Sequence, residues 1–225
     1  MTDNEQPILS VVMTVHDDAD LLEQHLPAFL TQQCDARYEV IVVDDHSTDP
    51  TPDVLMKLKG EYPNLYTTFL PKPVPMPNPY RKRLALTVGA KAAHGQWVVL
   101  ADVHQPPLSD TAFAQLANVL ATTDDQVVTA YFDQKKGETA VYCQTWTDLN
   151  EAKSLVVNME RLASQNHHKS HRFKRCGGLY DIIAVPRTLI HDALKLFCQD
   201  LRGSRLLGLK LSAVWRNMQN SPVKL

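Results

Sequence analysis

Three apolar runs, each closed by acidic residues, give this chain its pattern. Residues 8–15 (ILSVVMTV) run into His16, Asp17 and Asp18; Val40 to Val43 run into Asp44 and Asp45; residues 96–101 (QWVVLA) run into Asp102 and His104. Runs rich in β-branched residues suit parallel strands covered on both faces, and the polar residues that follow suit turns into helices. Between the first two runs, Leu21, Leu22, His25, Leu26, Phe29 and Leu30 recur at three- and four-residue spacing. That spacing predicts a helix, with Asp20 as its N-cap. A right-handed strand–helix–strand crossover sets the two strand ends side by side. Thr14, His16 and Asp17 are therefore expected to face one crevice with Asp44 and Asp45, at the sheet end where ligands of open α/β folds bind.

The pattern continues as a helix over 52–59, a strand over 65–70 and a proline-rich stretch over 71–79 (PKPVPMPNP). The prolines remove backbone donors, so that stretch is read as a loop. A helix is predicted to open at Arg81, Lys82 and Arg83 and to end at His94, with Gly95 as its C-cap. Ser109 or Asp110 is expected to cap a helix running to about Ala121. Two strands, 126–132 and 139–145, follow with a turn over 134–137, and then a helix over 148–163. A short apolar segment over 182–185 precedes helices at 187–198 and 204–218. Strands alternating with helices, then a late hairpin, predict an α/β three-layer fold around a mostly parallel, mixed sheet. The expected division is a main domain over 1–186 and a basic helical extension over 187–225.

A chain of 225 residues that is 44% hydrophobic can fill one sizeable α/β core. Its formal charge of -2 conceals a split: residues 169–225 hold 11 Lys and Arg against 3 Asp and Glu, and the rest hold 12 against 22. An acidic body suits a metal or sugar site, and a basic tail suits an anionic partner or a solvated face. Leu206, Leu207, Leu209, Leu211, Val214 and Trp215, interleaved with Arg202, Arg205, Lys210 and Arg216, fit a basic amphipathic helix. Such a helix can pack on the domain or lie on an anionic membrane surface. Cys34, Cys143, Cys176 and Cys198 form no metal-ligand spacing and read as reduced thiols. The polar N-terminus and the lack of an apolar run of about 18 residues predict a cytoplasmic protein that at most touches the inner membrane face. No nucleic-acid partner is expected.

The candidate chemistry lies at the strand ends. Asp49, with Pro50 and Pro52, fits a helix start, but capping does not explain why Asp44 and Asp45 are adjacent. Cations in the first turn of a helix oppose its dipole, so 81–83 either meet an anion such as a diphosphate or are simply solvated. Asp102 and His104, two residues apart, offer a carboxylate and an imidazole, a pair that suits a borderline divalent ion such as manganese. His167, His168 and His171 lie in a polar basic run and read as an exposed loop.

Taken together, residues 10–17 (SVVMTVHD), 39–49 (EVIVVDDHSTD), 82–95 (KRLALTVGAKAAHG) and 102–104 (DVH) resemble the family 2 glycosyltransferases, enzymes of the GT-A fold. The resemblance implies transfer of a sugar from a nucleotide diphosphate donor to a glycan or lipid-linked acceptor, as in cell-envelope polysaccharide assembly. It implies a nucleoside pocket lined by Thr14, His16 and Asp45, flanked by Asp17 and Asp44, with Lys82 and Arg83 at the diphosphate. Asp102 would contact ribose or metal, and His104, where the family keeps a second aspartate, would complete a Mn2+ or Mg2+ site. Gly177 to Tyr180 is similar to the family's glycine-containing segment on the acceptor side. An inverting transfer needs a carboxylate base; Asp181, Asp192 and Asp200 are the acids left there, and Asp200 matches the family's acidic pair best. Without such a base, the pattern fits an inactive nucleotide-sugar-binding or partner protein. A strand-end acid pair also fits a phosphoacceptor domain, but no lysine stands at the strand end that such a domain requires.

Overall fold

The valine- and isoleucine-rich runs form the middle of an eight-stranded sheet, ordered β3-β2-β1-β4-β7-β5-β6-β8. In this computed structural model the described residues are 8–71, 78–104, 106–107, 109–123, 127–135, 138–146, 182–199 and 223–224. The chain runs through β1 (Leu9–Val15), α1 (Ala19–Leu30), β2 (Tyr38–Asp44), α2 (Thr51–Glu61), β3 (Leu65–Phe69), α3 (Asn78–Ala92) and β4 (Trp97–Leu100). It continues through α4 (Ala112–Thr122), β5 (Val127–Lys135), β6 (Glu138–Trp146), β7 (Ile182–Pro186), α5 (Ile190–Gln199) and β8 (Val223–Lys224). β1 to β4 are mutually parallel, and β7 enters antiparallel between β4 and β5. The sheet is therefore mixed, as the late hairpin predicted.

Alternation along each strand sorts the core into two layers. Val11, Met13, Val40, Val42 and Val99 face α1, α2 and α4, whereas Val12, Ile41, Val98 and Leu100 face α3 and α5. Nearly all of these side chains are fully buried, each contributing about 1.5–3 kcal/mol. Both faces of the parallel half are thus covered, which is why its strands read as continuous apolar runs. α3 lies so close that a Cβ on Gly89 would stand 2.5 Å from Val12 Cγ1 and 3.0 Å from Val43 Cγ2.

Several boundaries differ from the sequence reading. α1 starts at Ala19, so Asp18 holds the N-cap position and Asp20 falls in the first turn. α3 starts at Asn78, with Pro79 in its first turn, where a missing N–H costs nothing. Gly95 is not a left-handed C-cap. Its backbone passes against β1, where a Cβ would meet Ser10 N at 2.8 Å and Leu9 C at 2.9 Å. Thr111, rather than Ser109 or Asp110, holds the N-cap position of α4, and Gln32, just after α1, accepts from the first-turn Phe113 N–H at 3.1 Å. Beyond residue 186, α5 joins the α3 layer through Ile190, Ala193 and Leu194, and β8 pairs with β6. The segments 148–163, 167–175 and 204–218, Gly177 to Tyr180, Asp181 and Asp200 lie outside the described residues.

Candidate functional site

The register of the parallel half determines which side chains meet. Val15 pairs with Asp44, and Ala101 N–H donates to Val12 O at 3.0 Å, so the loops after β1, β2 and β4 open at one end of the sheet. Asp45 N–H donates to Val15 O at 2.8 Å, extending the β1–β2 ladder into the loops.

Most of the acids in these loops bond to backbone amides. Asp17, in a left-handed conformation at φ 54°, accepts from Thr48 N–H at 2.6 Å and Asp49 N–H at 3.2 Å. The Thr48 amide is the main reason its carboxyl lies below the ordinary range. Asp44 Oδ1 accepts from Ser47 N–H at 2.9 Å and from the Ser47 hydroxyl at 2.5 Å, closing a turn immediately after β2. Asp49 accepts from Thr51 N–H at 3.0 Å and, from the start of α1, from Ala19 N–H at 3.0 Å. Burial works against its charge, but these bonds and the Thr51 side chain hold its carboxyl low. Asp49 thus serves the starts of both α2 and α1, the capping role its sequence context allowed. Asp17 N–H to Ser47 Oγ and Asp18 N–H to Thr51 Oγ1, both 3.0 Å, complete the link between the two loops.

Asp45 is placed differently. Its carboxylate is mostly buried, and Arg81 Nε from the first turn of α3 stands 2.5 Å from Oδ1. Apart from this ion pair, Oδ1 has no partner among the described residues. Burial pushes the Asp45 carboxyl up, and the charges of Arg81 and His16 pull against it. Thr14 pairs with Val43 and, two residues on from Val12, lies half-buried on the α3 side of the sheet. Arg83 lies one turn below the helix start and is half-buried. Lys82 lies on the same helix, and its side chain is outside the described residues.

A continuous chain of contacts joins Asp45 to the turn after β4. His16 Nδ1–H donates to Asp45 O at 3.0 Å, and His16 N–H donates to Asp18 Oδ2 at 3.0 Å. Asp18 Oδ1 then stands 3.5 Å from His104 Nε2, and His104 Nδ1 stands 2.8 Å from Asp102 Oδ1. The Asp102 and His104 side chains meet as their two-residue spacing predicted, and the His104 backbone N–H also reaches Asp102 Oδ1 at 3.0 Å. Carboxylate and imidazole atoms at this separation can both ligate one divalent ion, with further sites left to a ligand's phosphate oxygens. Among the described residues no group of three or more His, Cys, Asp or Glu forms a complete metal cage.

Asp192 follows β7, whose end lies at the start of β4, opposite the β4 end that carries Asp102. It lies in the first turn of α5, after Pro186 pairs with Trp97 and Arg187 N–H donates to Gln96 O at 2.8 Å, both at the start of β4. It is therefore remote from Asp45 and Asp102. Sequence reasoning placed the cationic contact on Lys82 and Arg83, and the structure brings Arg81 to Asp45. It also passed over Asp18, although Asp18 closes the same strand as His16 and Asp17.

Among the described residues no helix is long and apolar enough to cross a membrane. The sequence profile described as "Glycosyl transferase family 2" matches residues 10–184. No curated protein matches the chain. Solved structures with similarity include the mannosyltransferase PcManGT from Pyrobaculum calidifontis in complex with GDP-Man and Mn2+, 25% identical with TM-score 0.45 over 54% of this chain and 34% of that one. S. aureus TarS in complex with UDP-GlcNAc is 24% identical with TM-score 0.43, over 53% of this chain and 32% of that one. A mycobacterial protein is 21% identical with TM-score 0.48, over 82% of this chain and 55% of that one. The chain thus spans about a third of the length of the first two and about half of the third.

Proposed function

The chain belongs to glycosyl transferase family 2, and on that premise we propose that it transfers a sugar, with inversion, from a nucleotide diphosphate donor to a glycan or lipid-linked acceptor. The observation that carries this reading is the run of contacts from Arg81 and Asp45 to His104 and Asp102 across the ends of β2, β1 and β4. It provides an anion-tolerant cationic group, a nucleoside acceptor and a divalent-ion pair in one crevice.

Asp45 Oδ1 is buried, ion-paired with the Arg81 guanidinium and without another partner among the described residues. A planar base edge that presents an imide N–H beside a carbonyl would satisfy both, with the N–H donating to Asp45 and the carbonyl accepting from Arg81. Uracil and guanine have that edge; adenine and cytosine do not. His16 and Thr14 border the pocket, Asp17 and Asp44 hold its loops, and Lys82 and Arg83 serve the diphosphate.

The donor set at the β4 turn fits a divalent metal, with Asp102 and His104 as the protein ligands. When bound, the ion supplies Lewis-acid neutralisation of charge on the departing nucleotide diphosphate. The chain's own part is to hold these two ligands at one strand end. Asp200 is the acceptor-side carboxylate for which the sequence argues, taking the proton of the attacking hydroxyl. A basic amphipathic segment such as 204–218 can pack on the domain or lie on an anionic membrane surface, and the second would bring the protein near a lipid-linked acceptor.

Calorimetric titration of the purified chain with UDP- and GDP-sugars in the presence of Mn2+ tests the reading. Binding that disappears in Asp45→Ala and Asp102→Ala is the expected result. No binding by a folded sample overturns it, and binding without transfer to any acceptor assigns the chain to the inactive, sugar-nucleotide-binding class.

A further inference from the structure

The turn that carries Asp102 and His104 is held from behind by α1. His25, on the second turn of α1, has Nδ1 at 2.8 Å from Val103 O, the carbonyl between the two expected ligands. A carbonyl can only accept, so this nitrogen carries the proton, and the bond fixes the plane of the peptide joining Val103 to His104. Val103 itself is fully buried in the α1-side core, so its side chain anchors the same point that its carbonyl does. At the N-terminal end of the same helix, Asp18 Oδ1 stands 3.5 Å from His104 Nε2 while Oδ2 is held by His16 N–H at 3.0 Å. His104 is half exposed, so core packing does not fix its ring. Its two nitrogens instead face two carboxylates, Asp102 on one side and Asp18 on the other.

We propose that His25 and Asp18 are positioning residues: α1 uses the first to fix the backbone of the 102–104 turn and the second to orient the His104 ring. Both act through the turn and touch no reacting atom. A ligating histidine has its second ring nitrogen turned to a carboxylate, which sets the face it offers to the ion, and loss of such a partner costs about 10- to 100-fold in metal affinity. Asp18 stands where that partner belongs. His25 does for the peptide plane what Asp18 does for the ring.

The inference rests on the metal reading of Asp102 and His104, and its test keeps the two apart. Mn2+ binding is followed through loss of the free-ion electron paramagnetic resonance signal, with UDP or GDP added, for the whole chain and for Asp102→Ala, His25→Leu, His25→Asn and Asp18→Ala. Circular dichroism and melting temperature are recorded for each. We expect His25→Leu and Asp18→Ala to stay folded and weaken Mn2+ about 10-fold or more. His25→Asn, whose amide can donate to the same carbonyl, should recover most of the affinity. The inference is overturned if His25→Leu and Asp18→Ala bind like the parent while Asp102→Ala does not. Failure of His25→Asn to restore what His25→Leu loses, at equal thermal stability, overturns the role of His25. An Asp18→Ala loss as complete as that of Asp102→Ala makes Asp18 a ligand and overturns its positioning role. If Asp102→Ala binds Mn2+ unchanged, the site reading itself fails, and the inference with it.

Discussion

Arg81 Nε lies 2.5 Å from Asp45 Oδ1, and both side chains are mostly shielded from solvent. The pair joins the start of α3 to the loop after β2. Arg81 is a rigid fork, and a lysine in its place would offer a point charge on a flexible stem. Replacing it by alanine is expected to weaken UDP or GDP binding about 10-fold or more, the loss of a hydrogen bond to a charged group. Arg81→Lys should recover little of this. Titration of both variants by calorimetry, at matched melting temperature, checks the expectation.

The acids that hold the loops make stability fall in acid. Asp17 and Asp49 have folded-state values below the ordinary 3.8, so the stability they contribute is fully present above that value. It is lost as pH falls through their lower folded values. Asp45, raised by burial, acts in the opposite sense: its charge costs stability at neutral pH, and that cost is relieved as pH falls through its folded value. Asp17→Asn keeps a residue that tolerates φ 54° and removes the charge. Its urea midpoint should lie below the parent's at neutral pH, and the two should converge in acid below about pH 4.

If Asp102 and His104 hold the metal, the imidazole sets its preference. Imidazole favours manganese over magnesium, which prefers oxygen ligands. His104→Asp should therefore lower the ratio of Mn2+-supported to Mg2+-supported donor binding several-fold, on the order of 1 kcal/mol of relative affinity. Parallel titrations in the two metals would reveal it, and an unchanged ratio would remove His104 from the ligand set.

Close approach of α3 to β1 and β2 depends on Gly89. The added methyl of Gly89→Ala would meet Val12 Cγ1 at 2.5 Å, where a β-branched side chain in a filled core has little room to move. Overpacking of this kind costs about 1–3 kcal/mol. Because Arg81 rides on the same helix, the variant should lose nucleotide affinity along with stability, measurable by thermal melts and donor titration.

If Asp200 is the acceptor-side base, Asp200→Asn should leave donor affinity unchanged and lower kcat about 10²- to 10⁴-fold. Equal losses in donor affinity and turnover would instead place Asp200 in the donor pocket.

Burial on both faces leaves a linear signature, so β1, β2 and β4 were legible as runs of β-branched residues, and the alternation with helices gave their order. Asp102 and His104 were legible as a pair because two-residue spacing at a strand end is local. The late strands were legible as segments, but the insertion of β7 between β4 and β5 depends on pairing across sequence separations that no local pattern records.

The sequence by itself determined the layered α/β class and the end of the sheet at which the acidic loops gather, because both follow from period and connection handedness. Tertiary structure alone decided how similar acids divide their work. Asp17, Asp44 and Asp49 bind backbone N–H groups, whereas Asp45 meets Arg81, and Asp18 divides its two oxygens between the His16 N–H and the His104 ring. Most of these contacts join residues some thirty or more positions apart, and a carboxylate's task is set by which donor the folded backbone brings to it.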